Sequence, residues 1–458
     1  MRPSQIALLL AILLGIVLRC YQLDYSLDGD EIFSVKAASG SFSHVFRTSL
    51  ADVTHPPLHN LILHGWIRFF GSSEVSVRIP SIVASAVFLL SLHWLTSRIS
   101  SSFSAFLAVL LCAVSPFFVF HGEEARPYSL AACLALFSAC AMLRGLDSPG
   151  LRWSLIYGIS CAALVYTQYL GVLILLPQFG FIALSESPAR RKLLLAGGLG
   201  MLSILPWLSL VGMGIVHESA TRIRWITRPQ AADPLKFFFS IFGYLNLDGS
   251  TRVLFLLYVV GIGVLLTKVR SIPLRIVLLL GALATFAPAV TWIVSRFGSF
   301  SIWAPRQLVG SAAFFVVLLS SGVGAYPYWV RVPLATVLAA WCLLTVPNEF
   351  PSHSRAPWRH IASKLETEPP DTDVVVPEGY LAEPLRYYSN REIHESASYL
   401  ERPEKARRLV FLCRPSRCEE LIRFSDQYRL DSETAIEWVR YGATPTSRLK
   451  TYVLEKGR

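Results

Sequence analysis

The chain has 458 residues, of which 53% are hydrophobic and 16% are charged, and its mean hydropathy is +0.48. Soluble domains carry about 25% charged residues, so this composition excludes an ordinary soluble protein, and the apolar content excludes intrinsic disorder. The net charge of +11 suits basic residues that orient membrane helices or contact anionic lipid. No basic stripe with interleaved aromatic residues lies outside the apolar segments, so no nucleic-acid partner is expected. The composition predicts an integral membrane protein.

Apolar runs of spanning length predict about eleven transmembrane helices. The first run, 5–18, has no small-residue cleavage site after it, so we interpret it as a retained helix and not as a signal peptide. The other runs cover about 80–97, 102–120, 127–143, 153–167, 169–184, 193–213, 252–267, 275–295, 307–325 and 331–346. Gln168 and Gly171 favour two helices over 153–184 instead of one.

The basic residues of the short loops favour a cytoplasmic N-terminus, because Lys and Arg concentrate on that side of a membrane. Three long segments then lie outside, at about 19–79, 214–251 and 350–458. The apolar stretches 56–70 and 233–247 predict helices at the membrane interface. The predicted location is the plasma membrane, with the active site and the C-terminal tail extracytoplasmic.

A sharp change in composition predicts a boundary between a membrane module, 1–349, and a small α/β domain, 350–458. The pattern in this tail predicts a helix at 357–365 and short strands at 374–376, 409–412 and 452–454. Cys413 and Cys418 have a spacing that permits a disulfide outside the cytoplasm. The other six cysteines lie in or beside apolar runs, where they are interpreted as small hydrophobic residues.

Four acidic residues crowd into the eight positions after the first membrane helix: Asp24, Asp28, Asp30 and Glu31. Such a cluster can supply a general base or hold a divalent cation. The alternative is a solvated loop in which Asp30 caps the next helix. The sequence leaves both interpretations open.

A second motif, His55-Pro56-Pro57, places a histidine just before a helix and is followed by His59. A helix N-terminus attracts anions, so His55 is a candidate donor to a phosphate. The alternative is a helix that proline initiates, with exposed histidines.

A third motif lies in a very short loop between two spans and contains His121, Glu124, Arg126 and Tyr128. Ionisable residues at this depth are costly and indicate a functional site, unless Glu124 and Arg126 form only a structural pair. Arg306, at the outer end of a late helix, is either a phosphate ligand or an interfacial anchor. All these motifs fall on one membrane face in the predicted topology.

The motifs resemble those of membrane-embedded GT-C glycosyltransferases related to the protein O-mannosyltransferases and the lipid A aminoarabinose transferases, glycosyltransferase family 39. The resemblance covers about 5–390. It rests on Asp30-Glu31, His55-Pro56-Pro57-Leu58, Trp66, Phe70-Gly71, Ser73-Glu74, Arg78-Ile79-Pro80-Ser81, Glu124-Ala125-Arg126-Pro127-Tyr128, Pro305-Arg306, Trp358 and Tyr387-Tyr388.

The resemblance implies that a sugar moves from a polyprenyl-phosphate donor to an acceptor at the outer face. Asp30 takes the position of the catalytic base, with Glu31 as the neighbour that tunes or positions it. Glu124 completes the acidic site. A divalent metal ion held by Asp30 and Glu124 is an open option, and no other cofactor is expected.

The resemblance also assigns residues to the donor and to the pocket. His55 stands where the aminoarabinose transferases carry a lysine toward the donor phosphate, and a neutral imidazole is a weaker ligand than an ammonium. The donor phosphate is therefore expected to depend more on Arg126 and Arg306. The residues expected to line the substrate pocket are Asp28, His59, His121 and Tyr128. Two departures from the family pattern, Glu123 for Gln and Gln307 for Tyr, leave the specificity open.

Two other classes of function compete with a transferase. A transporter or flippase of lipid-linked sugars would carry polar residues in mid-membrane and paired interrupted helices, whereas these acidic residues cluster at one face. A scaffold that displays the tail would leave the acidic loop unexplained. The sequence has no P-loop and no GxGxxG after a strand, which suits a donor activated by its own phosphate. The acceptor can be a protein, a lipid or a glycan.

Overall fold

The computed structural model describes residues 3–52, 54–218, 226–243, 272–377, 379–402, 405–425, 427–437 and 448–456. The chain forms two compact units. The first, here called the helical unit, comprises Met1–Tyr21, Ala37–Ser72 and Ser76–Val346. The second, here called the mixed unit, comprises Gln22–Lys36, Ser73–Val75 and Pro347–Arg458. The predicted boundary between 349 and 350 stays a prediction.

Most of the described chain before residue 347 is helical. The helices are α1 (Pro3–Cys20), α2 (Gly29–Ala38), α3 (Phe42–Ala51), α4 (Leu58–Phe70), α5 (Glu74–Ile99), α6 (Ser102–Val114), α7 (Pro116–Glu123) and α8 (Tyr128–Asp147), followed by Leu151–Thr167, Val172–Ala183, Arg190–Leu202, Leu205–Glu218, Asp233–Ser240, Leu274–Phe297, Val309–Gly324 and Tyr328–Thr345. Short 3-10 helices occupy Tyr169–Gly171, Pro305–Leu308 and Val346–Glu349. The chain therefore breaks between the two helices predicted over 153–184, as Gln168 and Gly171 indicate.

Six helical segments in the described residues are long and apolar enough to cross a membrane, and a bent pair makes a seventh if it counts as one span. They are Glu74–Ile99, Tyr128–Asp147, Arg190–Gly212, Leu274–Phe297, Pro305–Gly324 and Tyr328–Glu349. Shorter apolar helices occur at Ser4–Cys20 and Tyr169–Ala183. The predicted span 252–267 lies outside the described residues. The chain is thus a multi-pass helical protein, and the count of eleven stays a prediction.

The segment predicted as one span over 102–120 is two helices, α6 and α7, bent by 62° at Ser115. Ser115 is the N-cap of α7, because its hydroxyl accepts a hydrogen bond from the Phe118 N–H at 3.4 Å. Pro116 follows as the first residue of α7, where its missing N–H costs nothing. The cap and the proline together explain why the helix ends and restarts here.

The core of the helical unit surrounds one buried helix, Val309–Gly324. Fifteen of its sixteen residues are buried, and they include Phe314 and Phe315. A helix that is apolar on every side belongs in the interior, whereas helices with one apolar stripe lie around it. Other helices expose large apolar side chains, such as Leu199 at 71% and Leu344 at 67%, which suits a lipid environment.

The mixed unit contains a five-stranded sheet in the order β2-β1-β3-β5-β4. The strands are β1 (Thr372–Val376), β2 (Ile393–Glu395), β3 (Arg408–Cys413), β4 (Tyr428–Glu437) and β5 (Arg448–Lys456), with helices at Pro351–Ser354, Trp358–Glu366, Gly379–Tyr388 and Ser396–Leu400 and a 3-10 helix at Pro415–Phe424. Strands β2, β1 and β3 run parallel, and β5 pairs antiparallel with β3 and β4.

Both faces of this sheet are covered. Val374 and Val376 pack with Trp358 on one face, while Val375 packs with Tyr399 on the other. Parallel strands buried on two faces are continuous apolar runs, as 374–376 and 409–412 are. The three predicted strands lie within β1, β3 and β5. Cys413 and Cys418 form a disulfide, with Cα atoms 5.3 Å apart.

Candidate functional site

The ten predicted site residues fall into two groups, one in each unit. Asp28, Asp30 and Glu31 belong to the mixed unit. The helical unit holds the others, namely His55, His59, His121, Glu124, Arg126, Tyr128 and Arg306. Each group is described by itself.

Half of a capping box begins helix α2 in the acidic segment. The Asp28 carbonyl accepts a hydrogen bond from the Ile32 N–H at 2.9 Å, which makes Asp28 the N-cap. The Asp28 N–H in turn donates to Glu31 Oε2 at 3.1 Å. Asp30 therefore lies in the first turn and is not the cap that the alternative interpretation expected. Its side chain is half-buried.

The neighbours of Asp30 have different environments. Burial and the adjacent Asp30 carboxylate raise the pKa of Asp28, although the Gly29 N–H donates to Asp28 Oδ1 at 2.8 Å. Glu31 is fully buried and forms an ion pair with Arg355 at 3.3 Å between Oε2 and Nη1. Glu31 is therefore held as a structural carboxylate beside a half-buried Asp30.

The group in the helical unit centres on His55, just before α4. His55 Nδ1 lies 3.1 Å from Asp52 Oδ2, and His55 Nε2 lies 3.3 Å from Arg126 Nη2. The Thr54 N–H donates to Asp52 Oδ1 at 2.9 Å. These contacts fit an imidazole that donates from Nδ1 to the Asp52 carboxylate. Arg126 Nη2 also lies 3.5 Å from Nδ1, so the guanidinium packs against the ring and is not in line with the Nε2 lone pair.

The surroundings set the charge of each member of this group. Burial and the Arg126 charge lower the pKa of His55, and they lower the pKa of His59 to about 3. Burial alone would raise the pKa of Asp52, but hydrogen bonds from His55 and Thr54 outweigh it and lower the value to about 2. At neutral pH the two histidines are uncharged and Asp52 is ionised.

Arg306 adds a second positive charge to this environment. It lies in the 3-10 helix Pro305–Leu308 and is half-buried. Its charge is one of the causes that lower the pKa of His55, so the two residues are within electrostatic reach of each other. The charges of both predicted phosphate-binding arginines thus act on the same neutral histidine.

The end of α7, the loop after it and the first residue of α8 carry the remaining residues. His121 Nδ1 lies 2.9 Å from Glu124 Oε2, and the His121 ring centre is 5.2 Å from that of Tyr128. The Arg126 guanidinium lies 5.8 Å from the Tyr128 ring centre, within the range of a cation–π contact. His121, Glu124, Arg126 and Tyr128 are therefore contiguous, and all four are buried.

Arg19 holds the bend that precedes this loop. Its buried guanidinium donates to the carbonyls of Cys112 at 3.0 Å, Ala113 at 3.1 Å and Phe118 at 3.0 Å, around the bend between α6 and α7. The Cys112 and Ala113 carbonyls lie at the end of α6, so the arginine satisfies acceptors that an unbroken ladder would have used, and its bond to Phe118 ties them to α7. Arg19 directly follows the predicted first span, 5–18, and its role at the bend is not evident from the sequence.

Asp52 is the second residue that sequence reasoning missed. It ends α3, and its backbone N–H donates to the Thr48 carbonyl. The spacing Asp-x-Thr-His between two helices was the available signal, because three residues suffice for a carboxylate to reach back to an imidazole. The neighbouring Pro-Pro motif is the more conspicuous feature of this segment.

The described residues contain no group of three or more His, Cys, Asp or Glu side chains placed to hold a metal ion. Asp30 and Glu124 belong to different units. The described side chains of either unit therefore do not offer the donor set of a metal centre. The expected metal role of Asp30 and Glu124 stays a prediction.

The chain is similar to known proteins in sequence and in structure. Residues 54–210 match the sequence model of the family described as "Dolichyl-phosphate-mannose-protein mannosyltransferase". This segment begins just before His55 and includes the loop that carries Glu124 and Arg126. A search of curated proteins found no match.

Solved structures share the fold over nearly the whole chain. ArnT from Cupriavidus metallidurans in its apo state superposes with a TM-score of 0.62 at 13% identity, covering 98% of this chain and 97% of that one. The same protein bound to undecaprenyl phosphate gives a TM-score of 0.61 at 13% identity, with coverage of 98% and 97%. A mutant of the mycobacterial arabinofuranosyltransferase AftD gives 0.53 at 11% identity, covering 99% of this chain and 41% of that one.

The fold is the one seen in ArnT and AftD, which agrees with the resemblance of the sequence motifs to GT-C glycosyltransferases. The chain is a multi-pass membrane protein of this fold, similar to ArnT in architecture and to the mannosyltransferase family over 54–210.

Proposed function

We propose that the protein is a membrane glycosyltransferase that moves a sugar from a polyprenyl-phosphate donor to an acceptor at the extracytoplasmic face of the plasma membrane. The observation that carries the proposal is the group of His55, Arg126 and Arg306 within a GT-C fold. The match of ArnT bound to undecaprenyl phosphate supports a lipid phosphate as the donor group.

The donor phosphate binds to Arg126 and Arg306, whose positive charges attract the phosphate oxygens. His55 is neutral at working pH, because burial and Arg126 lower its pKa. Its contribution is to support the Arg126 guanidinium, which packs against the imidazole ring. His59 is a second neutral, buried histidine in this group. The leaving polyprenyl phosphate is stabilised by the two guanidinium charges.

Asp30 acts as the general base. Its carboxylate takes the proton of the acceptor hydroxyl while the hydroxyl oxygen forms a bond to the anomeric carbon of the donor sugar. The bond between that carbon and the phosphate oxygen breaks, and polyprenyl phosphate leaves with the electron pair. A single displacement inverts the anomeric centre. The energy comes from the sugar–phosphate linkage, so no nucleotide is consumed.

Glu31 and Asp28 hold the segment that presents Asp30, as the capping box indicates. Glu124, paired with His121 at 2.9 Å, completes the acidic site. Tyr128 packs beside the His121 ring and lines the pocket. The acceptor class is a protein, a lipid or a glycan that carries a free hydroxyl.

The test uses the full chain in lipid nanodiscs with a panel of labelled polyprenyl-phosphate sugars and a membrane extract as acceptor. Wild type is compared with Arg126→Ala and with Arg98→Ala, a control whose arginine forms an exposed pair with Asp147. We expect wild type and the control to transfer label from one donor and Arg126→Ala to lose at least about 90% of this rate, because the phosphate loses a charged ligand. A parallel arm with chelator tests the metal prediction.

Label that stays on the donor but crosses the bilayer in proteoliposomes would contradict the transferase. That outcome would favour the flippase interpretation.

A further inference from the structure

We propose that Arg355 is a positioning residue for the reaction, acting through Glu31 on the proposed base Asp30. The inference rests on the proposed function, because it assigns the C-terminal region a role in holding the catalytic segment. Glu31 and Arg355, which lie 324 positions apart in the sequence, form a buried ion pair.

One carboxylate oxygen makes both key contacts. Glu31 Oε2 accepts the Asp28 N–H at 3.1 Å and the Arg355 Nη1–H at 3.3 Å. The side chains of Glu31 and Arg355 are 0% and 1% exposed. A carboxylate so fully removed from water stays ionised only when a counter-charge is adjacent. Arg355 supplies that charge, so the capping box depends on it.

Asp30 is coupled to this contact by the chain itself. It immediately precedes Glu31 and shares with it the first turn of α2. Movement of Glu31 toward water would release the Asp28 N–H and unwind this turn. The direction of the Asp30 carboxylate would then no longer be fixed. A base must stay within hydrogen-bond reach of the acceptor hydroxyl to act, so even a small loss of order lowers the rate.

The residues around Arg355 hold the same segment from its other end. The Ser26 hydroxyl accepts from the Trp358 N–H at 3.1 Å and donates to the Ala356 carbonyl at 3.2 Å. The Leu27 N–H donates to the Tyr388 hydroxyl at 2.7 Å. These contacts fix the two residues before Asp28, whereas Arg355 fixes the residue after Asp30.

The experiment measures kcat and the donor KM for Arg355→Met, for the double variant Glu31→Gln/Arg355→Met and for Arg408→Met. Arg408 forms ion pairs elsewhere in the mixed unit and is the matched control. In the double variant the buried charge is gone, and the side-chain carbonyl oxygen of the introduced glutamine can still accept the Asp28 N–H. Hydrogen exchange of the amides of residues 28–35 is followed in the same samples.

We expect Arg355→Met to lower kcat at least about tenfold with the donor KM within about twofold of wild type, and to speed exchange at residues 28–35, because a positioning defect acts on the chemical step. The double variant should recover most of the wild-type kcat and most of the slow exchange at residues 28–35. Arg408→Met should resemble wild type in both measurements. A purely structural role would lower the amount of folded protein and leave kcat per folded molecule unchanged.

Normal kcat in folded Arg355→Met, or exchange that the substitution leaves unchanged, would overturn the inference. Failure of the proposed function has a different signature: wild type itself would transfer no sugar, while the exchange of residues 28–35 would still respond to Arg355→Met. That result would overturn the assignment of Asp30 as a base and, with it, the catalytic part of the role of Arg355.

Discussion

His55 Nδ1 lies 3.1 Å from Asp52 Oδ2, and this contact decides what the other ring nitrogen can do. A neutral imidazole that donates at Nδ1 has only an acceptor at Nε2. Arg126 Nη2 lies 3.5 Å from Nδ1 and 3.3 Å from Nε2, so the guanidinium packs against the ring and leaves the Nε2 lone pair to another donor. Asp52 thus fixes the imidazole ring against which the Arg126 guanidinium lies.

Asp52→Asn is therefore expected to weaken donor use. The introduced asparagine is uncharged and holds the Nδ1–H group less strongly, so the imidazole ring is no longer fixed against the Arg126 guanidinium. The donor KM should rise about tenfold, equivalent to roughly 1.4 kcal/mol, with a smaller change in kcat. Steady-state kinetics with the labelled donor measure both. Asp147→Asn, at an exposed pair with Arg98, is the control, and equal KM values for the two variants would refute the role of Asp52.

The pH dependence of stability should reflect His59. Burial and Arg126 lower its pKa from 6.5 to about 3 in the folded protein. The unfolded chain therefore binds more protons between these values, so stability is fully present above about pH 6.5 and is lost as the pH falls toward 3. The loss approaches about 1.4 kcal/mol for each pH unit from this one group.

Thermal unfolding in nanodiscs between about pH 7.5 and 5 measures this effect. We expect His59→Asn to flatten the decline in Tm below pH 6.5, whereas His360→Asn, at an exposed position, should leave it unchanged. A decline of the same slope in wild type and His59→Asn would show that His59 is not the group responsible.

Gly122 should tolerate no side chain. A Cβ at this position would lie 2.5 Å from Arg19 Nε and 2.8 Å from Ser85 Oγ, and Arg19 cannot move freely because several carbonyls hold it. Gly122→Ala should lower the stability by about 1–3 kcal/mol and reduce transfer, because the loop with Glu124 and Arg126 follows directly.

Gly198 is the matched control for this substitution. It lies in the helix Arg190–Leu202, and a Cβ there would meet nothing within 4 Å. Gly198→Ala should keep or raise the Tm, since alanine favours a helix. A Gly122→Ala protein as stable and active as Gly198→Ala would mean that Arg19 does not constrain this loop.

Local chemistry in the sequence predicted a large part of the fold. Hydropathy gave the apolar helices, and the break near Gln168 followed from residues that interrupt an apolar run. The apolar runs 374–376 and 409–412 gave two central strands. The bend at Ser115 was missed because the flanking residues are apolar on both sides, and hydropathy does not register a cap followed by a proline.

Strands β2 and β4 were missed for other reasons. The strand 393–395 is short and includes a histidine and a glutamate, while in 428–437 the alternation of apolar and polar residues covers only Tyr428–Asp431 and is then lost in Ser-Glu-Thr. Each strand is fixed by its pairing partner and not by its own composition.

The sequence predicted which residues belong to the candidate site, but it did not predict which residues pair with them. Asp30, His55, Glu124 and Arg126 were singled out because polar residues beside membrane helices are unusual. The contact between Glu31 and Arg355 joins positions 324 apart, and no local pattern reveals it. Long-range partners of buried charges are set by the fold, so they require the structure.

The most direct test of the account compares Asp30→Asn with Asp24→Asn in single-turnover transfer from the active donor. Asparagine keeps the size of the side chain but cannot accept the hydroxyl proton, and Asp24 is an exposed carboxylate in the same segment. We predict that Asp30→Asn binds donor normally and transfers about a thousandfold more slowly, in line with the loss of a general base, whereas Asp24→Asn resembles wild type. Transfer by Asp30→Asn at the wild-type rate would contradict the central claim.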